Sequence, residues 1–181
     1  MKVLEEQLLT ECRKGNKDAF AQLVRTHANC LYHLVLPMVR VREDAKDIVQ
    51  DAFLHAYEGI GNFRGASSLQ TWLCAIALNA ARDYLRKNRM IPIPYSEESA
   101  SEAQTSEDPH IGQVETAIIL KEALQTLSAE YKEILILRDM MGFSYEEIAE
   151  IQQIGLGTVK SRLSRARCAL RDVLTQSGGI L

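Results

Sequence analysis

The sequence predicts an all-α protein with two helical domains joined by a flexible acidic linker. Apolar residues recur at spacings of three and four along most of the 181 residues, and no alternating strand pattern competes with this period. Residues 90–112 differ, since they hold three of the four prolines, many Ser and Glu residues and few apolar ones. This composition favours a linker over packed structure. We therefore expect domains at residues 1–89 and 113–181.

Apolar spacing and helix breakers predict the first helices of the N-terminal domain. A helix over residues 2–14 should end at Gly15, and residues 17–41 should form two helices, because Pro37 would kink or end one of them. A further helix over residues 42–59 should expose an acidic face. Its opposite face should bury an apolar stripe made of Ala45, Ile48, Val49, Ala52, Phe53 and Ala56.

A polar loop over residues 61–68 leads into a long helix that should reach about Arg89. Ser67 or Ser68 can cap this helix, whose predicted apolar stripe is Leu69, Trp72, Leu73, Ile76, Ala77, Ala80 and Tyr84. The loop and helix should present a ring, amides and cations, which suit an unpaired base and its backbone. These residues are Phe63, Arg64, Ser67, Gln70, Thr71, Asn79, Arg82 and Arg86. Trp72 fits the core better than base stacking.

The C-terminal domain should contain four helices. Two apolar patterns predict helices over residues 113–127 and 129–141, with Ser128 as the cap of the second. Ser144 and Glu147 have the spacing of a capping box, so a third helix should begin at Ser144. The fourth helix should run over residues 157–174. Permissive backbone between the last two helices is expected from the glycines Gly155 and Gly157.

The last two predicted helices have the outline of a helix-turn-helix. An inward stripe on the fourth helix would consist of Val159, Leu163, Ala166 and Leu170. Residues 158–171 carry five Lys or Arg and no acidic residue. A charged face is often only solvated, but the single sign of charge and the small residues between the cations favour duplex DNA. The candidate contacts are Thr158, Lys160, Ser161, Ser164, Arg165 and Arg167.

The net charge of −3 hides strong segregation along the chain. Residues 43–58 hold five acids against one lysine, residues 64–89 hold five bases against one acid, and residues 97–115 hold six acids and no base. Separate surfaces for separate partners are therefore expected, the basic ones suited to phosphate. On the acidic helix, one polar patch with an apolar neighbour comprises Asp47, Gln50, Asp51 and Leu54.

Several classes of protein find no support in the sequence. No long apolar run or basic-flanked leader is present, so we expect a cytoplasmic protein that is not an integral membrane protein. Four widely separated cysteines fit isolated reduced thiols. His27, Cys30 and His33 lie along one helix face, but a metal site would need a further ligand and half-buried packing explains them equally well. No nucleophile or paired-carboxylate motif indicates an enzyme, a cofactor or a metal.

Five segments carry a resemblance to a known family when they are taken together and in order. They are DAKDIVQDAFLHAY at residues 44–57, NFRGASSLQTWL at 62–73, ALNAARDYLRK at 77–87, YKEILILRDMMGFSYEEIAE at 131–150 and GTVKSRLSRARCAL at 157–170. In this order and with the intervening linker, the chain resembles the extracytoplasmic-function (ECF) sigma factors, the two-domain initiation subunits of bacterial RNA polymerase.

The resemblance implies a role for each candidate surface. The patch Asp47, Gln50, Asp51 and Leu54 would bind the clamp helices of the largest subunit of core RNA polymerase. The loop and the helix carrying Asn79 would take the minus-ten promoter element as a single strand, with Phe63 and Asn79 around a flipped base. The C-terminal domain would read the minus-thirty-five element as duplex and contact the flap of the second-largest subunit. The resemblance also implies an anti-sigma factor as a partner.

Four residues depart from the family pattern. Cys74 and Ala75 stand where an aromatic residue and Arg are frequent, Gln152 stands at a usually apolar position, and Gly155 stands where Pro is common. A rival interpretation remains open at this point, namely a conventional regulator that binds duplex DNA through residues 143–171 and senses or dimerises through its N-terminal half. The acidic patch favours the sigma factor, because a sensor would not need it.

Overall fold

The computed structural model describes residues 2–39, 41–88 and 111–176. All regular structure in these ranges is helical, which confirms the predicted all-α class. The chain divides into two compact units, Met1–Ile91 and Pro92–Leu181, which we call the N-terminal unit and the C-terminal unit. Within the described ranges, none of the helices combines the length and apolar character needed to cross a membrane.

The described part of the N-terminal unit contains four α-helices. They are α1 (Lys2–Arg13), α2 (Lys17–Val39), α3 (Arg42–Gly59) and α4 (Leu69–Asn88), with a 3-10 turn at Ile60–Asn62 after α3. Helices α2, α3 and α4 pack against one another, and α1 packs on α2 and on the 3-10 turn. Gly15 has a φ of +80°, which lets the chain turn between α1 and α2 as the sequence predicts.

Residues 17–39 form one continuous helix, so the prediction of two helices is wrong. Pro37 lies inside α2, only two residues before its end. A proline there removes one backbone hydrogen bond, that to the carbonyl of residue 33, and leaves the rest of the helix intact. The last two turns are also held by their burial in the core, through Leu31, Leu34, Val35, Met38 and Val39.

Burial follows the prediction closely for α3 and less closely for α4. The six residues of the predicted α3 stripe are all buried. On α4, however, Trp72, Ile76, Ala80 and Tyr84 are only half-buried, whereas Thr71, Cys74, Leu78 and Ala81 are buried. Because α4 packs against both α2 and α3, its buried face is rotated from the stripe that a single neighbour would cover.

The C-terminal unit contains the helices α5 (Ile111–Thr126), α6 (Ala129–Leu135), α7 (Tyr145–Gln152) and α8 (Leu156–Gln176). The last of these packs against the other three. After α6 the chain continues as a π-helical turn, Ile136–Met140, and Gly142 at a φ of +77° then reverses it. In the turn, the amide of Met141 donates to the carbonyl of Ile136 at 3.0 Å.

A polar pair lies within the core of the C-terminal unit. Gln152 of α7 donates from its Nε2 atom to Oε2 of Glu133 on α6, at 3.3 Å, and both side chains are buried. The amide oxygen of Gln152, Oε1, has no hydrogen-bond partner among the described residues. This pair occupies the position at which the sequence departs from an apolar pattern, and it joins α6 to the first helix of the helix-turn-helix.

Candidate nucleic-acid and protein interfaces

The acidic patch of α3 is exposed as predicted. Asp47, Gln50, Asp51 and Leu54 all lie on the solvent side of the helix. Leu54 is 56% exposed, so its apolar side chain is available for a partner to cover. Tyr57, one turn further along, is also exposed and rests edge-on against Phe20, with ring centroids 4.9 Å apart. The patch is thus an apolar spot surrounded by negative charge.

A hydrogen bond joins the start of α3 to α4 and fixes the patch relative to the rest of the unit. Burial raises the pKa of Tyr84 to about 12, and a hydrogen bond to the carboxylate of Asp44 adds to the effect. The phenol therefore stays protonated and donates to Asp44 across the two helices. Helix α3 is anchored by this contact as well as by its buried stripe.

The Phe63 ring is not presented to solvent, so the prediction of a free stacking surface is wrong for this structure. Phe63 is only 7% exposed, and its ring lies 4.9 Å from that of Trp72 at an angle of 34°. A ring in a short polar loop lowers its free energy by packing on the nearest large apolar side chain. Arg64 in the same loop is exposed, and Ser67 is half-buried.

Two contacts hold the loop in this closed conformation. Arg13 at the end of α1 donates from Nη2 to the backbone carbonyl of Phe63 at 2.6 Å. Ser68 caps α4, because its Oγ accepts from the amide of Thr71 at 3.0 Å, and the two hydroxyls are 2.8 Å apart. Ser68 is therefore the cap where the sequence left Ser67 as an alternative. Thr71 is buried by this arrangement, so the prediction that it is presented to a ligand is wrong.

The exposed face of α4 carries three of the predicted contacts at spacings of three and four residues. Asn79 and Arg86 are exposed and Arg82 is half-buried. Arg82 donates from Nη1 to Oδ1 of Asn79 at 3.2 Å, and Arg86 pairs with Asp83 at 3.0 Å. The Asn79 amide is thereby oriented, with its NH₂ group directed away from the guanidinium. Such a surface offers hydrogen-bond donors and positive charge to a single strand.

The first helix of the helix-turn-helix begins as the sequence predicts. Ser144 Oγ accepts from the amide of Glu147 at 3.2 Å, and the Glu147 carboxylate accepts from the amide of Ser144 at 2.8 Å, which completes the capping box. The turn after this helix differs from the prediction. Its left-handed residue is Gln153, at a φ of 55°, and neither Gly155 nor Gly157 has a positive φ. Gly157 instead lies in the first turn of α8.

Helix α8 exposes a basic face on the side opposite its buried stripe. Val159, Leu163 and Ala166 are buried and Leu170 is half-buried. Five of the predicted contacts are exposed without an ion pair among the described residues, namely Thr158, Lys160, Ser161, Ser164 and Arg165. Arg167 is exposed too, but it forms two hydrogen bonds to Asp139 of the π-helical turn, at 2.5 and 3.2 Å. Near the N-terminal end of α8, this face offers the cations and small polar side chains with which a recognition helix contacts phosphates and base edges.

Comparison with known proteins identifies the family. A model of sigma-70 region 2 matches residues 23–90, and a model of sigma-70 region 4 matches residues 117–170. The RNA polymerase sigma-H factor of Pseudomonas aeruginosa is 35% identical over 181 residues, covering 94% of this chain and 93% of that protein. The ECF RNA polymerase sigma factor SigM of Mycobacterium tuberculosis is 36% identical over 170 residues, covering 94% and 84%.

The chain belongs to the ECF RNA polymerase sigma factors. Among solved structures, the sigma factor RpoE of Bartonella quintana, crystallised with the anti-sigma factor NepR, is similar with a TM-score of 0.68 and 29% identity, covering 86% of this chain and 96% of that one. The predicted family is confirmed, and with it the function of a subunit that directs core RNA polymerase to promoters. The alternative interpretation, a conventional regulator that binds only duplex DNA, is rejected because residues 23–90 match sigma-70 region 2.

Sequence reasoning missed three features of this sigma factor. Arg13 holds the loop through a contact 50 residues away in sequence, and Asp139 neutralises part of the basic face of α8. The cysteines form no disulfides, as predicted, but Cys30 is not isolated, because Cys74 and Gln70 both hydrogen-bond to its sulfur. Only that last contact had a sequence signal, the unusual cysteine on α4. Among the described residues, no group of three His, Cys, Asp or Glu side chains could hold a metal.

Proposed function

We propose that this sigma factor divides promoter recognition between its two halves. Residues 1–89 act as the region 2-like domain, which binds core polymerase and takes the minus-ten element as a single strand. Residues 113–181 act as the region 4-like domain, which reads the minus-thirty-five element as duplex, and residues 90–112 link the two. The protein acts in the cytoplasm by binding, without catalysis of its own. The exposed acidic patch of α3 is the observation that carries the proposal.

The acidic patch is the proposed contact for the clamp helices of the largest subunit. Asp47, Gln50 and Asp51 supply negative charge and hydrogen bonds around Leu54. Covering this apolar side chain with a partner lowers the free energy of the complex. Charge in such a ring mainly sets orientation and association rate, whereas the covered apolar spot contributes affinity.

Capture of a flipped base is the proposed role of the loop and of α4. Asn79 and Arg82 form the polar side of this site, and Arg64, Ser67 and Arg86 contact the strand around it. Phe63 stacks on the base only after its ring leaves Trp72. Extruding a base costs a few kcal/mol, and stacking returns about 1 to 3 kcal/mol per base. Polymerase binding and the duplex contact must therefore contribute the remainder.

The proposed duplex contacts are the exposed residues at the start of α8. Thr158, Ser161 and Ser164 are small enough to let the helix approach the groove, and Lys160 and Arg165 reach phosphate or base edges. Arg167 joins them when phosphate displaces Asp139. The flap of the second-largest subunit is the further proposed partner of this half.

An anti-sigma factor is the second proposed protein partner. The support is the sigma factor RpoE of Bartonella quintana, which was crystallised with the anti-sigma factor NepR. A protein that covers the two proposed DNA-binding surfaces would block promoter recognition, and its release would restore transcription.

Reconstituted transcription tests the proposal directly. Core polymerase is mixed with the purified chain and with genomic fragments selected by the resulting holoenzyme, and run-off transcripts are then measured. We expect discrete transcripts that need the sigma factor and that start at a fixed distance from a shared pair of elements. Absence of any transcript beyond the core-only control would contradict the proposal.

Matched variants separate the two halves in the same assay. Lys160→Ala together with Arg165→Ala should abolish use of promoters that depend on the upstream element, while core binding in a pull-down stays unchanged. Asn79→Ala should leave duplex binding intact and reduce strand opening, measured by the permanganate reactivity of unpaired thymines. Equal loss of every step in both variants would argue against the division of labour.

A further inference from the structure

Two thiols meet across the packed helices of the N-terminal unit. Cys30 lies on α2 and is half-exposed, and Cys74 lies on α4 and is fully buried. Neither forms a disulfide, and the thiol of Cys74 hydrogen-bonds to the sulfur of Cys30. Gln70, one turn before Cys74 on the same helix, donates from Nε2 to the Cys30 Sγ atom at 3.3 Å. A half-exposed thiol and a buried thiol are thus joined by a hydrogen bond.

We propose that Cys30 and Cys74 form a thiol pair that hydrogen peroxide oxidises to a disulfide between α2 and α4. Cys30 is the peroxide-reactive thiol and Cys74 is the resolving thiol. Neither the family's promoter recognition nor the roles assigned to the two halves require this pair, so the inference stands independently of the proposed function.

The chemistry balances with hydrogen peroxide as the oxidant. The Cys30 thiolate attacks one peroxide oxygen, the O–O bond breaks, and hydroxide leaves, which gives a sulfenic acid on Cys30. The sulfur of Cys74 then attacks the Cys30 sulfur, losing its proton, and the sulfenic oxygen departs as water. Two thiols and one hydrogen peroxide thus become one disulfide and two waters, with two electrons passing from sulfur to oxygen.

The surroundings of Cys30 favour the first step. The hydrogen bonds from Cys74 and, to a lesser extent, from Gln70 lower the pKa of Cys30 to about 7, against the opposing effect of burial. The other thiols of the chain differ. Burial raises the pKa of Cys12 on α1, and Cys168 is exposed on α8 in the C-terminal unit. Only the Cys30 site combines access, stabilisation of the thiolate and a second sulfur in contact.

The cross-link would close a segment that contains the proposed polymerase-binding patch and the loop portion of the proposed single-strand site. Residues 31–73 include all of α3 with its acidic patch, the 3-10 turn and the loop that holds Phe63. A bond between Cys30 and Cys74 ties the two ends of this segment together, on the same helix that carries Asn79 and Arg82.

The test uses the full chain with Cys12→Ser and Cys168→Ser, so that only the pair remains. The reduced, folded protein is treated with a small excess of hydrogen peroxide, quenched with catalase, denatured and alkylated with N-ethylmaleimide. We expect a monomer that takes up no maleimide and loses about 2 Da, the two thiol hydrogens. Peptide mapping should join Cys30 to Cys74, and dithiothreitol should restore two alkylation sites.

Two controls make the outcome decisive. Cys74→Ala in the same background should stop at a sulfenic acid on Cys30 that dimedone traps, and Cys30→Ala should leave Cys74 unoxidised. Peroxide should close the pair more slowly in concentrated urea than in buffer, because the fold holds the sulfurs together. Two maleimides per chain after peroxide, cross-linked dimers in place of the internal bond, or equal rates in urea and buffer would overturn the proposal.

Discussion

Arg167 differs from Lys160 and Arg165 of α8 because its guanidinium already pairs with a carboxylate. Nη2 and Nε donate to the two oxygens of Asp139, at 2.5 and 3.2 Å. Both side chains are about half-exposed, so the pair contributes little to stability. If Arg167 contacts phosphate as proposed, DNA must displace this carboxylate, and Asp139 would then oppose duplex binding both by its charge and by its contact with Arg167.

Asp139→Asn should strengthen duplex binding. The change frees Arg167 for phosphate and removes one negative charge, and we expect affinity to rise about two- to fivefold. The slope of log affinity against log salt should become steeper by about 1. Fluorescence anisotropy over a salt series measures both quantities. Asp172→Asn is the matched control, since it removes a carboxylate that pairs with Arg171, another cation of α8. An equal gain in the control would assign the effect to net charge alone.

Arg165→Ala tests whether an unpaired cation of α8 reads a base. If it does, we expect a loss of about 1 to 3 kcal/mol that varies with the sequence of the duplex element. Binding is measured on the cognate duplex and on single-base variants of it. A uniform loss on all duplexes would show that Arg165 contacts phosphate, and Lys160→Ala provides the comparison within the same helix.

The turn between α7 and α8 contains a residue with a Cβ atom, Gln153, at a positive φ of 55°. Gln153 closes α7 in the left-handed region, and its amide approaches the carbonyl of Glu150 at 3.3 Å. A side chain with a Cβ atom costs roughly 1 to 2 kcal/mol in this region, whereas glycine does not. The turn therefore holds strain that the packing of α7 against α8 offsets.

Gln153→Gly should stabilise the C-terminal unit by about 1 kcal/mol, because it removes this strain at a small entropic cost. Amides of α7 and α8 should exchange with solvent deuterium about fivefold more slowly. Hydrogen exchange with mass spectrometry measures the change separately in each unit. Gln153→Ala keeps the Cβ atom and should give no gain. Slower exchange in the alanine variant would show that the Gln153 side chain, rather than the backbone, is the cause.

Asp51→Arg tests the acidic patch of α3. Reversal of one charge at an exposed position should weaken binding to core polymerase and leave the fold intact, because Asp51 is not part of the buried stripe. Competition with a labelled wild-type chain for core enzyme measures the affinity, and circular dichroism checks the fold. Glu58→Arg reverses an exposed charge on the same helix outside the patch. Unchanged affinity in Asp51→Arg would remove the patch from the interface.

Local chemistry made some elements predictable from sequence. The capping box of Ser144 and Glu147 and the cap at Ser128 depend on groups three residues apart, and both are present. The buried stripe of α3 was also predictable, because its helical period is unbroken. The candidate contacts of α3 and α8 are exposed for the same reason, although their roles remain predictions.

Packing between distant segments decided what the sequence could not show. Pro37 stays inside α2 because the core buries the residues around it, and Phe63 turns inward because Trp72 offers it an apolar surface. The buried face of α4 depends on two neighbouring helices, and the left-handed residue of the turn is Gln153 because of where α7 ends against α8. None of these four features can be predicted from a few neighbouring residues alone.

At the scale of the whole molecule, the proposed mechanism depends on the covalent connection between the two units. Each proposed DNA contact is weak by itself, and a linker raises the effective concentration of the second contact once the first has formed. Tethering of this kind can increase overall affinity by a factor of about 10² to 10⁴.

Cutting the chain between the units should therefore reduce promoter binding. A site for a sequence-specific protease is inserted between residues 98 and 105, and holoenzyme binding to a full promoter is compared before and after cleavage. We expect the affinity to fall by about 10² or more, while binding of cleaved protein to an isolated upstream duplex stays the same. Undiminished promoter binding after complete cleavage would show that polymerase alone holds both halves in place.

The contact between Phe63 and Trp72 also gives the protein an internal optical reporter. Trp72 is the only tryptophan of the chain and lies in the N-terminal unit, with its indole against the ring of Phe63. Emission excited selectively at the indole therefore monitors that unit without a dye, whereas circular dichroism sums both helical units. Melting curves recorded by the two signals would diverge if the halves unfold as independent bodies, and they would coincide if the halves unfold together.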